Sequence, residues 1–211
     1  MTMRHHPPRP SATAAALLLA ALSLPAALRG QAPDPGPWSV QPSAGILFDG
    51  YDSGDDGSRA GALVGLQVGR RLSPQVRIVA SLAYARVGDV GEHAPGGAGY
   101  AVFRNEWVFA SLGPAVELPV GRATVTASFQ AGAAWRRTPV VGRVGEPGPV
   151  PGLVEASGDV SVTSVAVPGL AVRYPLGRRV AVVGAASAYA LSVDEGGEVS
   201  PAVTLGLSLS R

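Results

Sequence analysis

From Trp38 to Arg211 the chain alternates apolar residues with small or polar ones in eight stretches of about ten to fifteen residues, separated by Gly, Pro and acidic segments. A period of two places the two faces of each stretch in different surroundings. The last stretch is the clearest. In Ser200-Pro-Ala-Val-Thr-Leu-Gly-Leu-Ser-Leu-Ser-Arg211, Val203, Leu205, Leu207 and Leu209 share one face, while Ala202, Thr204, Gly206 and Ser208 share the other. The fifth stretch is the longest in strict phase, with Val125, Ala127, Phe129, Ala131, Ala133 and Trp135 on one face, and few soluble strands alternate for so long. The pattern predicts an all-β chain closed into an eight-stranded antiparallel up-and-down transmembrane barrel, apolar toward lipid and polar toward a lumen.

The first 32 residues have a different character. Arg4, His5, His6 and Arg9 form a basic head, Ala12 to Leu24 is an uncharged apolar run, and Pro25 to Ala32 offers small residues for cleavage after Gly30 or Ala32. This reads as a secretory signal peptide, with an apolar core too short for a membrane anchor. Residues 33–37 are an extended lead-in and 38–211 the barrel domain.

Charge points the same way. The pI of about 9.4 suggests nucleic acid, yet three of the 17 basic residues, Arg4, Arg9 and Arg29, belong to the leader. Fourteen arginines then face 15 acids, so the basic bias vanishes and a nucleic-acid partner is not expected. With no Cys, disulfides and thiolate metal sites are excluded. No later apolar run approaches the length of a membrane helix.

Taken in order, the stretches run over about 38–48, 60–72, 76–87, 102–118, 123–135, a sixth ending at Tyr174, 179–191 and 200–211. The linkers alternate long and short, the long ones being Asp49–Ser58, Gly88–Gly99, Arg136–Asp159 and Ser192–Val199. In an even-stranded barrel with both termini in the periplasm, short turns face the periplasm and long loops face outward. Most acids lie in the long linkers, whereas Arg70, Arg71, Arg122, Arg178, Arg179 and Arg211 gather at the short-turn end, within reach of lipid phosphates. Pro114 and Pro168 fall inside two stretches and are expected to mark bulges or strand ends.

The strand count, leader, linker alternation and final strand together resemble the small outer-membrane barrels of the OmpA and OmpX type across residues 38–211. The likeness is architectural, with no motif matched residue by residue. It implies an outer-membrane location and a barrel assembly machinery as partner; with no cofactor-binding motif in the sequence, no cofactor is expected. In that family the last strand commonly ends in an aromatic residue, whereas this chain ends Leu209-Ser210-Arg211.

Candidate sites are few. His93 stands alone in a predicted loop, no nucleophile–His–acid grouping is legible, and no catalytic or phosphate-binding motif occurs, so the expectation is a chain that is not an enzyme. Asp52, Asp55 and Asp56 offer hard oxygen ligands for Ca²⁺ without the spacing of an EF-hand. Trp135 with Arg136, Arg137 and Arg143 could meet lipopolysaccharide phosphates at the long-loop end. The phase of strands three, four and six brings Arg77, Glu117 and Arg173 inside at one level, predicting a carboxylate held between two guanidiniums. The reading is a monomeric barrel of structural or surface-interaction type. The alternatives are a lipid-modifying enzyme of the outer membrane, and a soluble secreted barrel that binds an apolar ligand.

Overall fold

Residues 37–49, 59–93, 100–137, 140–144, 160–193 and 196–211 are described by a computed structural model of the chain. They form nine strands: β1 (Trp38–Asp49), β2 (Arg59–Arg71), β3 (Val76–His93), β4 (Tyr100–Val120), β5 (Ala123–Arg137), β6 (Val140–Val144), β7 (Val160–Pro175), β8 (Val180–Val193) and β9 (Gly196–Ser210). Every pairing is antiparallel, and all join chain neighbours except β5 with β7, β4 with β6, and β9, which returns to β1. Eight strands therefore close a barrel. β6 is outside that ring, paired to the end of β4.

The ring is staggered. Paired residues lead from Leu209 through Val40, Val68, Ala80, Leu112, Ala131, Ala166 and Ala190 to Val199, so one circuit returns to β9 ten residues away. A stagger of this kind requires tilted strands and fixes the bore, which in an eight-stranded barrel is narrow enough for side chains to fill.

The short turns are built locally. Leu72 N and Ser73 N both donate to Val76 O, and Leu176 N and Gly177 N both donate to Val180 O, giving two hairpins of the same form. Between β4 and β5 the loop is only Gly121-Arg122, and Gly121 has φ of 58°, a value glycine adopts without steric cost.

Strands extend further than the sequence suggested at the opposite end. β3 and β4 continue as a paired ribbon to His93 and Tyr100, where a loop from Gly88 to Gly99 was expected. Ladder pairing there carries the strands past the end of the alternating pattern. Arg136 and Arg137 belong to β5 rather than to a loop, the expected long loop also holds β6, and the last linker shrinks to residues 194–195. Residues 1–32, most of the lead-in and the acidic segment 50–58 lie outside the described residues.

The polarity of the barrel is that of a membrane protein. Leu205, Leu170, Leu112 and Leu82 are 65%, 61%, 58% and 55% exposed on the outer face, together with more than a dozen Val, Ile and aromatic side chains. Keeping each large aliphatic group in water forfeits about 1.5–3 kcal/mol. Hydrocarbon around the barrel would take up these groups, whereas the soluble-barrel alternative needs such a face turned inside.

Pro42, Pro114, Pro168 and Pro201 all point outward and are all exposed. The expectation that Pro114 and Pro168 mark bulges or strand ends is not met. Pro114 pairs in register with Ile78, and Pro168 with Phe129. Each leaves a gap in the ladder on its other side, between β4 and β5 or between β7 and β8. A missing N–H costs a bond toward one neighbour only, so the second ladder holds the strand straight.

Candidate functional site

Inside the barrel three layers follow one another from the short-turn end. The first is charged. Glu117, on β4 and only 5% exposed, accepts from Arg77 Nη1 at 2.7 Å on Oε1 and from Arg71 Nη2 at 3.3 Å on Oε2. Arg77 also donates through Nη2 to Ser39 Oγ. The backbone N of Glu117 donates to Gln75 O at 2.7 Å, tying the carboxylate's strand to the β2–β3 turn. A carboxylate so buried is tolerable only when paired on this scale.

The sequence placed Arg173, not Arg71, beside Glu117. Arg173 is half-buried and within electrostatic range of Glu117, Arg71 and Arg77, yet it makes no ion pair with the carboxylate. The register explains the difference. Glu117 is paired with Thr126, and Thr126 with Ala171, so Arg173 falls one inward position nearer the turns. Arg71 instead stands directly opposite Arg77. It turns into the lumen rather than toward lipid phosphates. Arg71 is the last residue of β2, in phase with the inward Gly69 and Gln67, and this phase is the signal that could have identified it.

The second layer is neutral and polar. Ser111 Oγ donates to Gln130 Oε1 at 3.0 Å, and Gln67 Nε2 donates to Ser81 Oγ at 3.2 Å. They border a cavity of about 100 Å³ that is also lined by Gln41, Ser43, Ser128 and Thr204. Polar walls of this kind suit a small cluster of waters.

The third layer is apolar. Phe109, Leu47 and Val87 are fully buried and pack with Leu63, Trp107, Tyr189 and Leu191. Trp107 stacks on Phe109 with ring centroids 5.8 Å apart, and Phe109 meets Tyr189 at 4.3 Å. Arg136 covers this layer, its guanidinium 5.5 Å from the Trp107 ring and its Nη2 3.1 Å from Asn105 Oδ1. The described lumen is thus filled above and braced by charge below.

Outside, the two rims differ. At the long-loop end Trp135 and Arg137 are exposed on the lipid face, as the lipopolysaccharide reading needs. Arg136 is not available for that role, because β5 alternation turns it inward onto Trp107. Arg143 lies on β6, opposite Ala101, with a side chain outside the described residues. Arg86, missed from the sequence, is exposed on β3 in the phase of Leu82 and Tyr84, and its register partner is Glu106, itself opposite Arg137. His93 ends β3, paired with Tyr100. Its side chain, like Asp52, Asp55 and Asp56, lies outside the described residues.

No protein-family model matches the chain, and no curated protein matches it in sequence. Solved structures do match. Neisserial surface protein A is similar over 84% of this chain and 99% of its own, at 13% identity and a TM-score of 0.54. The outer membrane protein OprG of Pseudomonas aeruginosa is similar over 87% and 99%, at 9% identity and a TM-score of 0.52. Ail, the attachment invasion locus protein of Yersinia pestis, is similar over 82% and 99%, at 11% identity and a TM-score of 0.50. The fold is that of the small eight-stranded outer-membrane barrels.

Proposed function

We propose that the protein is a non-catalytic barrel of the outer membrane, a monomer that anchors its long-loop end at the cell surface and offers that end for interaction. The observation that carries this reading is the pairing of an apolar outer face with a filled lumen: the wall suits lipid, and the inward groups are engaged with one another rather than with a passage. Residues 1–32 act as a cleaved export signal, and the barrel assembly machinery inserts the chain. The short-turn end faces the periplasm. Trp135, Arg137 and Arg86 meet the glycolipid phosphates of lipopolysaccharide, where bidentate guanidinium contacts are strong.

Membrane fractionation combined with gel mobility tests the reading. The protein should sediment with outer membrane, require detergent for release, and run at a different position after boiling, because closed barrels resist unfolding. Recovery in the soluble periplasmic fraction overturns it. Turnover of a phospholipid or lipid A by the purified barrel would favour the lipid-modifying alternative instead.

A further inference from the structure

The short-turn rim carries an uninterrupted arc of arginine. Arg122 lies at the β4–β5 turn with its guanidinium 6.0 Å from the ring of Tyr174. The next hairpin holds Arg178 and Arg179, and Arg179 O accepts from Ser210 N, which brings the end of β9 alongside. Arg211 follows, exchanging backbone hydrogen bonds with Trp38, and Arg70 completes the arc 5.4 Å from the Trp38 ring. All five guanidiniums belong to exposed residues. Among the described residues the only Asp or Glu side chain at this end is Glu117, which is inside and already paired. Among the described residues the arc therefore has no carboxylate side chain to pair with.

Trp38 and Tyr174 locate the arc relative to the bilayer. Both are nearly half exposed on the lipid face at the last rows before the turns, the depth at which amphipathic rings settle among headgroups. A guanidinium stacked on such a ring is held at the same depth with its N–H edge free for an oxygen acceptor.

We infer that this arc is a binding surface for anionic phospholipid headgroups of the adjoining leaflet, the phosphate diester of phosphatidylglycerol being the representative chemistry. The inference rests on the membrane reading proposed above. It adds a leaflet-specific lipid preference at the end opposite the lipopolysaccharide contact. Basic groups near an anionic surface are attracted to it, and the attraction falls off within a Debye length of roughly 10 Å at 0.1 M salt.

The test compares the full barrel in phosphatidylcholine bilayers with and without added phosphatidylglycerol, reading the temperature at which the folded gel band is lost. Phosphatidylglycerol should raise that temperature by several degrees, 1 M NaCl should abolish the rise, and the variant R122Q/R178Q/R179Q should lose most of it. If the triple variant does not fold, R178Q and R179Q, each at an exposed turn position, should each lose part of the shift. An equal temperature in both bilayers, or a rise that survives the Arg replacements, overturns the inference. So does an equal rise with inorganic phosphate, which would indicate a free-anion site. A wild-type chain that gives no folded band in either bilayer fails the membrane reading itself.

Discussion

Arg71 and Arg77 face each other across the β2–β3 ladder, and both guanidiniums close on the one carboxylate of Glu117. Two like charges side by side are stable there because the third group stands between their donors. Removing Glu117 leaves the buried Arg77 and the part-buried Arg71 without their carboxylate, whereas removing all three leaves only the half-buried Arg173 at this end of the lumen. Glu117→Ala should destabilise the barrel by roughly 3–5 kcal/mol, and the triple variant Arg71→Met, Glu117→Leu, Arg77→Met should recover most of that loss. A double-mutant cycle in a reversible unfolding assay should give a larger coupling for Arg71–Glu117 than for Arg173–Glu117. The opposite order would restore Arg173 as the partner.

The outer face should respond to charge by depth. Leu82→Arg places a guanidinium on lipid-facing wall and should cost about 2–4 kcal/mol near the midplane. Its neighbour Ser81 faces the cavity and accepts from Gln67, so Ser81→Ala should cost only about 1 kcal/mol for the lost bond. A larger loss at Ser81 than at Leu82, measured by urea unfolding in lipid vesicles, would refute the assigned polarity.

The aromatic layer predicts a barrel that does not conduct. In planar bilayers the wild type should show no steady channel, while Trp107→Ala combined with Phe109→Ala should open the outer half and give measurable conductance. The same pair should lower stability, since deleting a buried aromatic side chain typically costs about 3–5 kcal/mol. Steady conductance from the wild type would mean that the filled lumen rearranges in the bilayer.

A Cβ added at Gly132 would fall on the carbonyl oxygen of Ala110, across the β4–β5 ladder. Gly132→Ala should therefore force the strands apart and cost about 1–3 kcal/mol. At Gly184, where a Cβ meets open space, the same change should be close to neutral. Thermal loss of the folded gel band compares the two.

Orientation is open to labelling. A cysteine at Gln75, in the β2–β3 turn, should react with an impermeant maleimide only after the outer membrane is opened, whereas one at Ala94 should react on intact cells. Labelling of Gln75→Cys on intact cells would invert the proposed topology.

The wall of the barrel was legible because a period of two records which face meets lipid, and Val203, Leu205, Leu207 and Leu209 recorded it without ambiguity. The Arg77–Glu117 contact was legible too, since both residues interrupt a face in phase with small neighbours. Arg71 was less so. At the last position of a strand the pattern ends, and only the β2–β3 register decides whether the side chain enters the lumen or meets headgroups. Arg136 was misplaced for a related reason: a predicted loop boundary removed it from the alternation that turns it onto Trp107. Proline chemistry was read too strongly at Pro114 and Pro168, because a strand with two neighbours keeps one ladder when it loses a bond on the other.

The ten-residue stagger acts as a whole number that the closed wall cannot change piecemeal. Alternation requires it to be even, since an odd value would bring an inward residue back to its own strand facing lipid. A single inserted residue within the closed rows thus has no local remedy: it would reverse the facing of all that follows on its strand or leave the circuit unmatched. Among the described residues the register shifts lie elsewhere, one where β4 meets β6 and the other on β3. The register shift between Val87 and Asp89 begins where β3 has passed its last partner on β2, Val87 opposite Gly61, so the ribbon beyond changes phase without disturbing the closed wall. Length variation in such a protein is therefore confined by topology to the open ends, leaving the surface free to diverge while the winding of the wall stays constant.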